Sequence, residues 1–253
     1  MPISLKDFFT PRNTVDALDE RLYVNQPALI RIAEAFARSL YQPVIVIDLY
    51  KRNLLYMSGN FQYMFGILPD KDPMDNDRLF FDFVPEEEQQ MLLEVMDRAF
   101  ELLYSLPVDE RLEWSLSYYL TIDSGEKRRL VHQTVTSMYL SPQGKVWLAM
   151  CTFSLSSRKD PGHPSLRHYR HPDYFIYSFK KHVWFYKEGV VLSDVERDIL
   201  ILSSQGYIMK EIAVKIGKSE DTVKFYKRQL FAKLGVKNNT EAVFAAINDN
   251  LLI

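Results

Sequence analysis

Between Leu192 and Gly235 the chain carries three short helices, each with its own start and stop signal, and this punctuation constrains the fold more than any other feature. Ser193 followed three positions later by Glu196 is a reciprocal start signal, in which a hydroxyl and a carboxylate each satisfy a backbone N–H at the helix entrance. Val195, Ile199, Leu200 and Leu202 give that helix an apolar face, and Gln205-Gly206 ends it, glycine being the residue that accepts a left-handed conformation at a helix end. A second helix runs from Lys210 to Ile216 with Ile212, Ala213 and Ile216 inward, and Gly217 stops it. Ser219 caps a third, with Glu220 and Asp221 at its positive end, which continues from Thr222 to Leu234 and is closed by Gly235. A short helix, a tight turn with glycine and a capped basic helix make up a helix-turn-helix.

The charge on the third helix fits a polyanion. From Thr222 to Lys237 there are five basic side chains, Lys224, Lys227, Arg228, Lys233 and Lys237, and no acidic one. Duplex DNA carries a phosphate charge every ~1.7 Å of its axis, so a helix that enters a groove must not bring carboxylates with it. Helical spacing turns Val223, Leu230 and Leu234 toward the core and leaves Lys224, Phe225, Lys227 and Arg228 on the outer arc.

The residues just described, together with Lys210-Glu211-Ile212-Ala213, Lys233-Leu234-Gly235-Val236-Lys237-Asn238 and Thr240-Glu241-Ala242, closely resemble the LuxR/FixJ-type DNA-binding domain over Val191 to Leu252. The resemblance implies a four-helix unit whose third helix docks in the major groove and whose fourth pairs with a second copy. It implies base contacts from Lys224, Phe225 and Arg228, and phosphate contacts from Lys210, Thr222, Lys227 and Lys233. Two positions depart from the pattern: Ile208 stands where the family usually has a capping Ser or Thr, and Asn239 where it often has Arg. Ala242, Val243, Ala246 and Ile247 recur at helical spacing on the last helix and are the expected pairing face.

The rest of the chain has a different character. Of the formal charge of −2, residues 1–155 contribute −7, residues 156–190 +4 and residues 191–253 +1. An acidic front joined to a basic back suits a polyanion-binding module attached to something that does not touch the polyanion. At 253 residues there is room for two domains, each with its own core. The single cysteine, Cys151, excludes an internal disulfide and fits a reducing compartment. No apolar stretch reaches ~18 residues and no leader pattern opens the chain, so a cytoplasmic protein without a membrane partner is expected.

Leu29, Ile30, Ile32, Ala33, Phe36, Ala37 and Leu40 recur at three and four, which predicts a helix over Pro27 to Leu40. Val44 to Ile47 and Leu54 to Met57 read as a hairpin about Lys51-Arg52-Asn53. A short helix around Phe61, Met64 and Phe65 closes at Gly66, and a longer one follows Pro85 with Met91, Leu92, Val95, Met96, Ala99, Leu102 and Leu103 inward. Leu112, Trp114, Leu116, Tyr118, Leu120 and Ile122 then alternate strictly with less apolar neighbours, the period of a half-buried strand. Two more strands follow, near Leu130 to Tyr139 and Val146 to Leu155, separated by the turns at Ser124-Gly125 and Pro142-Gln143-Gly144.

This order, with Val46-Ile47-Asp48, Leu55 to Phe61, Met64-Phe65-Gly66 and Phe81 to Glu87, resembles a PAS domain over residues 42–156. The expected fold class is α+β: a helical segment over 1–41, a PAS-like antiparallel sheet with flanking helices over 42–156, a linker with short strands over 157–190, and an all-α four-helix unit over 191–253. Pro161, Pro164 and Pro172 break the linker, which holds His163, His168, His171 and His182. Those histidines read as solvated and not as metal ligands. Tyr174 to Tyr177 and Val183 to Tyr186 are too apolar for water and need a partner surface.

Together these readings describe a bacterial transcription regulator, with duplex DNA as partner, a homodimer formed through the C-terminal helix and the PAS-like domain, and RNA polymerase and a small-molecule ligand as further partners such a regulator implies. The alternative is an acyl-homoserine-lactone-type quorum-sensing regulator with the same tail, although no Trp precedes Trp114. Asp48 after a strand suggests a phosphoreceiver, but three consecutive antiparallel strands occupy the place of its βα units. No cofactor is expected: His132 lies on a strand and is no obvious haem ligand, and Cys151 lacks a flavin-site motif. No Gly-rich phosphate loop, Gly-x-Ser-x-Gly or His-Glu-x-x-His motif supports an enzyme.

Overall fold

A computed structural model describes residues 5–67, 83–156, 158–248 and 251. The chain divides into two units, Met1–Lys187 and Glu188–Ile253.

The first unit is built on one antiparallel sheet of eight strands in the order β2-β1-β5-β4-β3-β6-β7-β8. The strands are β1 (Val44–Asp48), β2 (Asn53–Met57), β3 (Trp114–Asp123), β4 (Arg128–Leu140), β5 (Val146–Leu155), β6 (Gly162–His168), β7 (Tyr174–Ser178) and β8 (Val183–Lys187). Four helices accompany them: α1 (Leu5–Phe8), α2 (Gln26–Leu40), α3 (Asn60–Phe65) and α4 (Glu86–Ser105). Gly66 ends α3 in the left-handed conformation, φ 78°. Tyr118, Leu120 and Ile122 of β3 are fully buried, and with Phe61, Phe65, Leu92, Val95 and Phe153 they form the core between the sheet and α3 and α4. On the other face Ala33 of α2 packs with Val46, Leu55, Trp147 and Leu148.

The strict alternation over Leu112 to Ile122 starts before its strand, because Leu112 and Glu113 belong to a 3-10 turn, Val108–Glu113. The larger difference lies at residues 157–190, expected as a linker with short strands: the strands at Tyr174 and Val183 are present, but the segment is part of the sheet. There β6 pairs with the edge of β3, Trp114 opposite His168 and Leu116 opposite Leu166, and β7 and β8 continue the sheet. Pro164 removes one donor from β6, and the register of β3 against β6 shifts between Ser117 and Tyr119, a place where a strand tolerates proline. Among the four histidines read as solvated, His168 is buried: Nε2 lies 2.8 Å from Glu113 and Nδ1 accepts the Arg170 N–H at 3.1 Å. Residues 5–41 also belong to this unit, held by Tyr23, whose hydroxyl donates to Asp48 at 2.6 Å and accepts from Trp147 Nε1 at 3.0 Å. Asp48 is fully buried and accepts the N–H groups of Tyr50 and Lys51, each at 2.9 Å, so it is a turn former inside the fold. Of the PAS-like motif, Phe81 and Asp82 lie outside the described residues, as does Leu252 of the tail.

The second unit is all helical: α5 (Asp194–Ser204), α6 (Met209–Lys215), α7 (Glu220–Leu234) and α8 (Asn239–Asn248). Two small clusters make its core. Ile199, Ile212, Ala213 and Val223 join α5, α6 and α7, while Leu192, Leu200, Leu230, Ala242 and Ala246 join α5, α7 and α8. No helix among the described residues is long and apolar enough to cross a membrane.

Candidate nucleic-acid interface

The start signals read from the tail are made in the structure. Ser193 Oγ accepts the Glu196 N–H at 3.4 Å, and the Glu196 carboxylate accepts the Ser193 N–H at 2.9 Å, so both halves of the reciprocal cap are present. At α6 only one half exists, since Ile208 has no oxygen to offer, and Glu211 alone accepts the Ile208 N–H at 2.9 Å. Ser219 caps α7 by accepting the Thr222 N–H at 3.2 Å, and Gly235 ends it at φ 64°. These contacts fix where α7 begins and ends, and therefore which of its residues point outward.

Val223 and Leu230 are buried, and at about 100° per residue Lys224, Phe225 and Arg228 fall on the opposite arc. All three are exposed, Phe225 at 48%. The arc is cationic and aromatic, with the Phe225 ring 5.7 Å from that of Tyr226. Lys227 lies nearer the core, where burial lowers the pKa of its ammonium. Lys210 is exposed at the first turn of α6. Thr222 is half-buried and its hydroxyl pairs with Ser219 Oγ at 2.8 Å, at the positive end of α7.

Lys233 is placed differently from the expectation. Its Nζ lies 2.7 Å from each oxygen of Glu196, whose side chain is 1% exposed. Burial works to raise the Glu196 carboxyl, but the Lys233 ammonium and the two Ser193 donors outweigh it and hold the group below the usual carboxylate range. The pair ties the end of α7 to the start of α5, so Lys233 is engaged inside the unit. Sequence reasoning found Glu196 as a cap and missed this second role. The available signal was the spacing of Tyr226, Leu230 and Lys233, which places the lysine at the edge of the inward face.

The last helix also differs. Ala242 and Ala246 are fully buried against Leu200 and Leu230, so the four residues expected as one pairing face are divided. The apolar side chains left outward on α8 are Phe244 and Ile247, 38% and 55% exposed.

Residues 190–246 match the family described as bacterial regulatory proteins, luxR family. The C-terminal unit is a luxR-family helix-turn-helix. The chain is 42% identical over 62 residues to the oxygen regulatory protein NreC of Staphylococcus aureus strain JH9, a match covering 24% of this chain and 29% of that protein, with the same figures for strain USA300. The chain thus spans under a third of the length of these curated relatives. Among solved structures, a phage VqmA–DPO complex is similar at 15% identity and a TM-score of 0.33, over 90% of this chain and 92% of that one. A Vibrio cholerae VqmA dimer without target DNA gives 15% identity and the same TM-score over 86% and 90%.

Outside the luxR-type unit, two groups weighed in the sequence, His132 and Cys151, are buried. His132 is buried with its ring 4.8 Å from that of Tyr119, and burial, with the nearby Arg167 charge, pushes its imidazole down to about 4. Burial pushes the Cys151 thiol up to about 12, which keeps it protonated and unreactive. Among the described residues no three His, Cys, Asp or Glu side chains come together as a metal site.

Proposed function

We propose that this chain is a bacterial transcription regulator that binds duplex DNA by laying α7 in the major groove, with the N-terminal unit as a PAS-like sensory or dimerising module. The observation that carries the reading is the arc of Lys224, Phe225 and Arg228 on a capped helix that has no carboxylate from Thr222 onward, inside a luxR-type unit. Lys224 and Arg228 suit base edges, which accept hydrogen bonds at guanine, and Phe225 suits an apolar contact such as the thymine methyl. Lys210, Thr222 and Lys227 flank the arc and suit phosphates. Lys233 is spent on Glu196 and is withdrawn from that set. Two copies meeting through Phe244 and Ile247 of α8 would place two such helices on an inverted repeat.

Selection of duplexes from a random pool by the purified full-length protein, followed by titration of the enriched sequence at several salt concentrations, tests this. The expected result is an enriched inverted repeat bound at least ~10³-fold more tightly than random duplex, with affinity that falls steeply as salt rises. No enrichment, together with binding indifferent to salt, overturns it.

A further inference from the structure

The N-terminal unit holds a partly open cavity of about 30 Å³ between α4 and the sheet, lined by Met96, Ala99, Phe100 and Leu103 of α4 and by sheet residues that include Leu116 and Ala149. The four α4 residues recur at three and four and form one face of the helix. At about 100° per residue, Glu94 and Arg98 fall on the side turned away from the cavity. That outer side is where the β7–β8 hairpin attaches. The Tyr177 hydroxyl donates to Glu94 Oε1 at 2.7 Å, and His182 Nδ1 lies 2.7 Å from the same oxygen. Trp184 Nε1–H donates to the Arg98 carbonyl at 3.0 Å. One helix therefore meets the cavity on one side and grips the hairpin on the other. β8 ends at Lys187, and the luxR-type unit begins with the next residue.

We propose that α4 relays the state of this cavity to the DNA-binding unit, with Glu94 as the clasp that passes the displacement to β7–β8. The proposal rests on the regulator reading above and supplies its route of control. A close-packed helix transmits strain as a body, so filling or emptying the space beside residues 96–103 shifts Glu94 and Arg98 with them. The hairpin has little means of absorbing that shift locally. His182, which meets Glu94, stands in the left-handed conformation at φ 52° and its N–H is bound to the Ser178 carbonyl at 2.7 Å. Occupancy of the cavity then biases the chain at Lys187 to the extent that it favours one position of α4 over another.

The test uses the full-length protein with two small changes at the cavity, Ala149→Val to fill it and Leu116→Val to enlarge it, each alone and combined with Glu94→Ala. Hydrogen exchange across residues 174–187 and affinity for the selected duplex are read for every variant, with circular dichroism as a check that each is folded. The expected result is that the two cavity variants shift hairpin exchange in opposite directions and change DNA affinity by about fivefold or more. With Glu94→Ala in place the cavity changes should no longer alter affinity. Hairpin exchange that ignores the cavity, or affinity changes of equal size with and without Glu94, overturns the relay. Should one cavity variant fail to fold, the other paired with Glu94→Ala still decides. A wild-type chain that binds no duplex at all would instead sink the regulator reading, while hairpin exchange would still support or overturn the coupling of cavity to clasp.

Discussion

Replacing Lys233 by methionine separates the role the structure gives this residue from the one the family resemblance implies. Lys233→Met keeps the aliphatic stem and removes the ammonium that lies 2.7 Å from both oxygens of a carboxylate only 1% exposed. Removing one partner of a fully buried pair costs ~3–5 kcal/mol, and an exposed pair contributes ~0–1 kcal/mol. The Lys233 side chain is 42% exposed, so its end of the pair is screened and an intermediate cost of about 2 kcal/mol is expected. A domain of this size has a total stability of roughly 3–10 kcal/mol, so the variant should melt on the order of 10 °C lower in the C-terminal transition. The pH dependence has a definite sign. The Glu196 pKa is held below its unfolded value, so the pair's contribution is present above about pH 4.3 and is lost as pH falls through the lower folded value. The gap between wild type and variant should therefore hold from neutrality down to about pH 4.3 and close only below it. Calorimetry from pH 7 down to about pH 3 reads this, and a DNA titration against salt supplies the contrast. Loss of a phosphate contact lowers the salt slope by about 0.9, whereas loss of an internal tie leaves it unchanged. Unchanged stability with a slope reduced by that amount would refute the reasoning.

Lys224→Ala and Arg228→Ala should each cost about 1–3 kcal/mol on the selected site and much less on random duplex, as a panel of single-base variants of the site would show. Ile247→Glu places a charge on the outward face of α8 and should reduce a footprint over two half-sites to one, while a full footprint at limiting protein would count against pairing there. His132 titrates near 6.5 when unfolded and near 4 when folded, so the N-terminal unit should be fully stabilised above pH 6.5 and lose up to about 3 kcal/mol as pH falls toward 4. Thermal melts of wild type and His132→Gln across that range check this, the variant showing the flatter profile.

The tail was legible because its signals are local. Ser193, Ser219, Gly206 and Gly235 each act on a backbone within three residues, and the caps they form do not depend on the rest of the chain. The Glu196–Lys233 tie was hidden because its partners lie 37 residues apart, and only the edge position of Lys233 on α7 hinted at it. Strand β6 was hidden for a different reason. Its Ser165 is buried and meets Ser117 of β3 at 3.0 Å, a polar pair inside the sheet, and with Pro164 beside it the segment has neither apolar alternation nor length to mark it as a strand. The apolar stretches at Tyr174 and Val183 did show in the sequence, yet not the surface they cover, which is built from α4 some eighty residues earlier.

The sheet stops at β8, with no strand beyond it among the described residues. A terminal strand presents backbone donors and acceptors in a row, a template on which another chain can add, and Val183, Phe185 and Tyr186 make this one apolar as well. β8 is only five residues long and is bracketed by Lys180 and Lys181 before it and Lys187 at its end. Two such edges brought together would crowd like charges, which discourages copies of the protein from joining strand to strand. That protection is electrostatic and weakens as salt shortens the reach of charge, from ~10 Å at 0.1 M to ~3 Å at 1 M. Concentrated protein should therefore keep better in dilute buffer than in the high salt often used to strip nucleic acid from a DNA-binding protein.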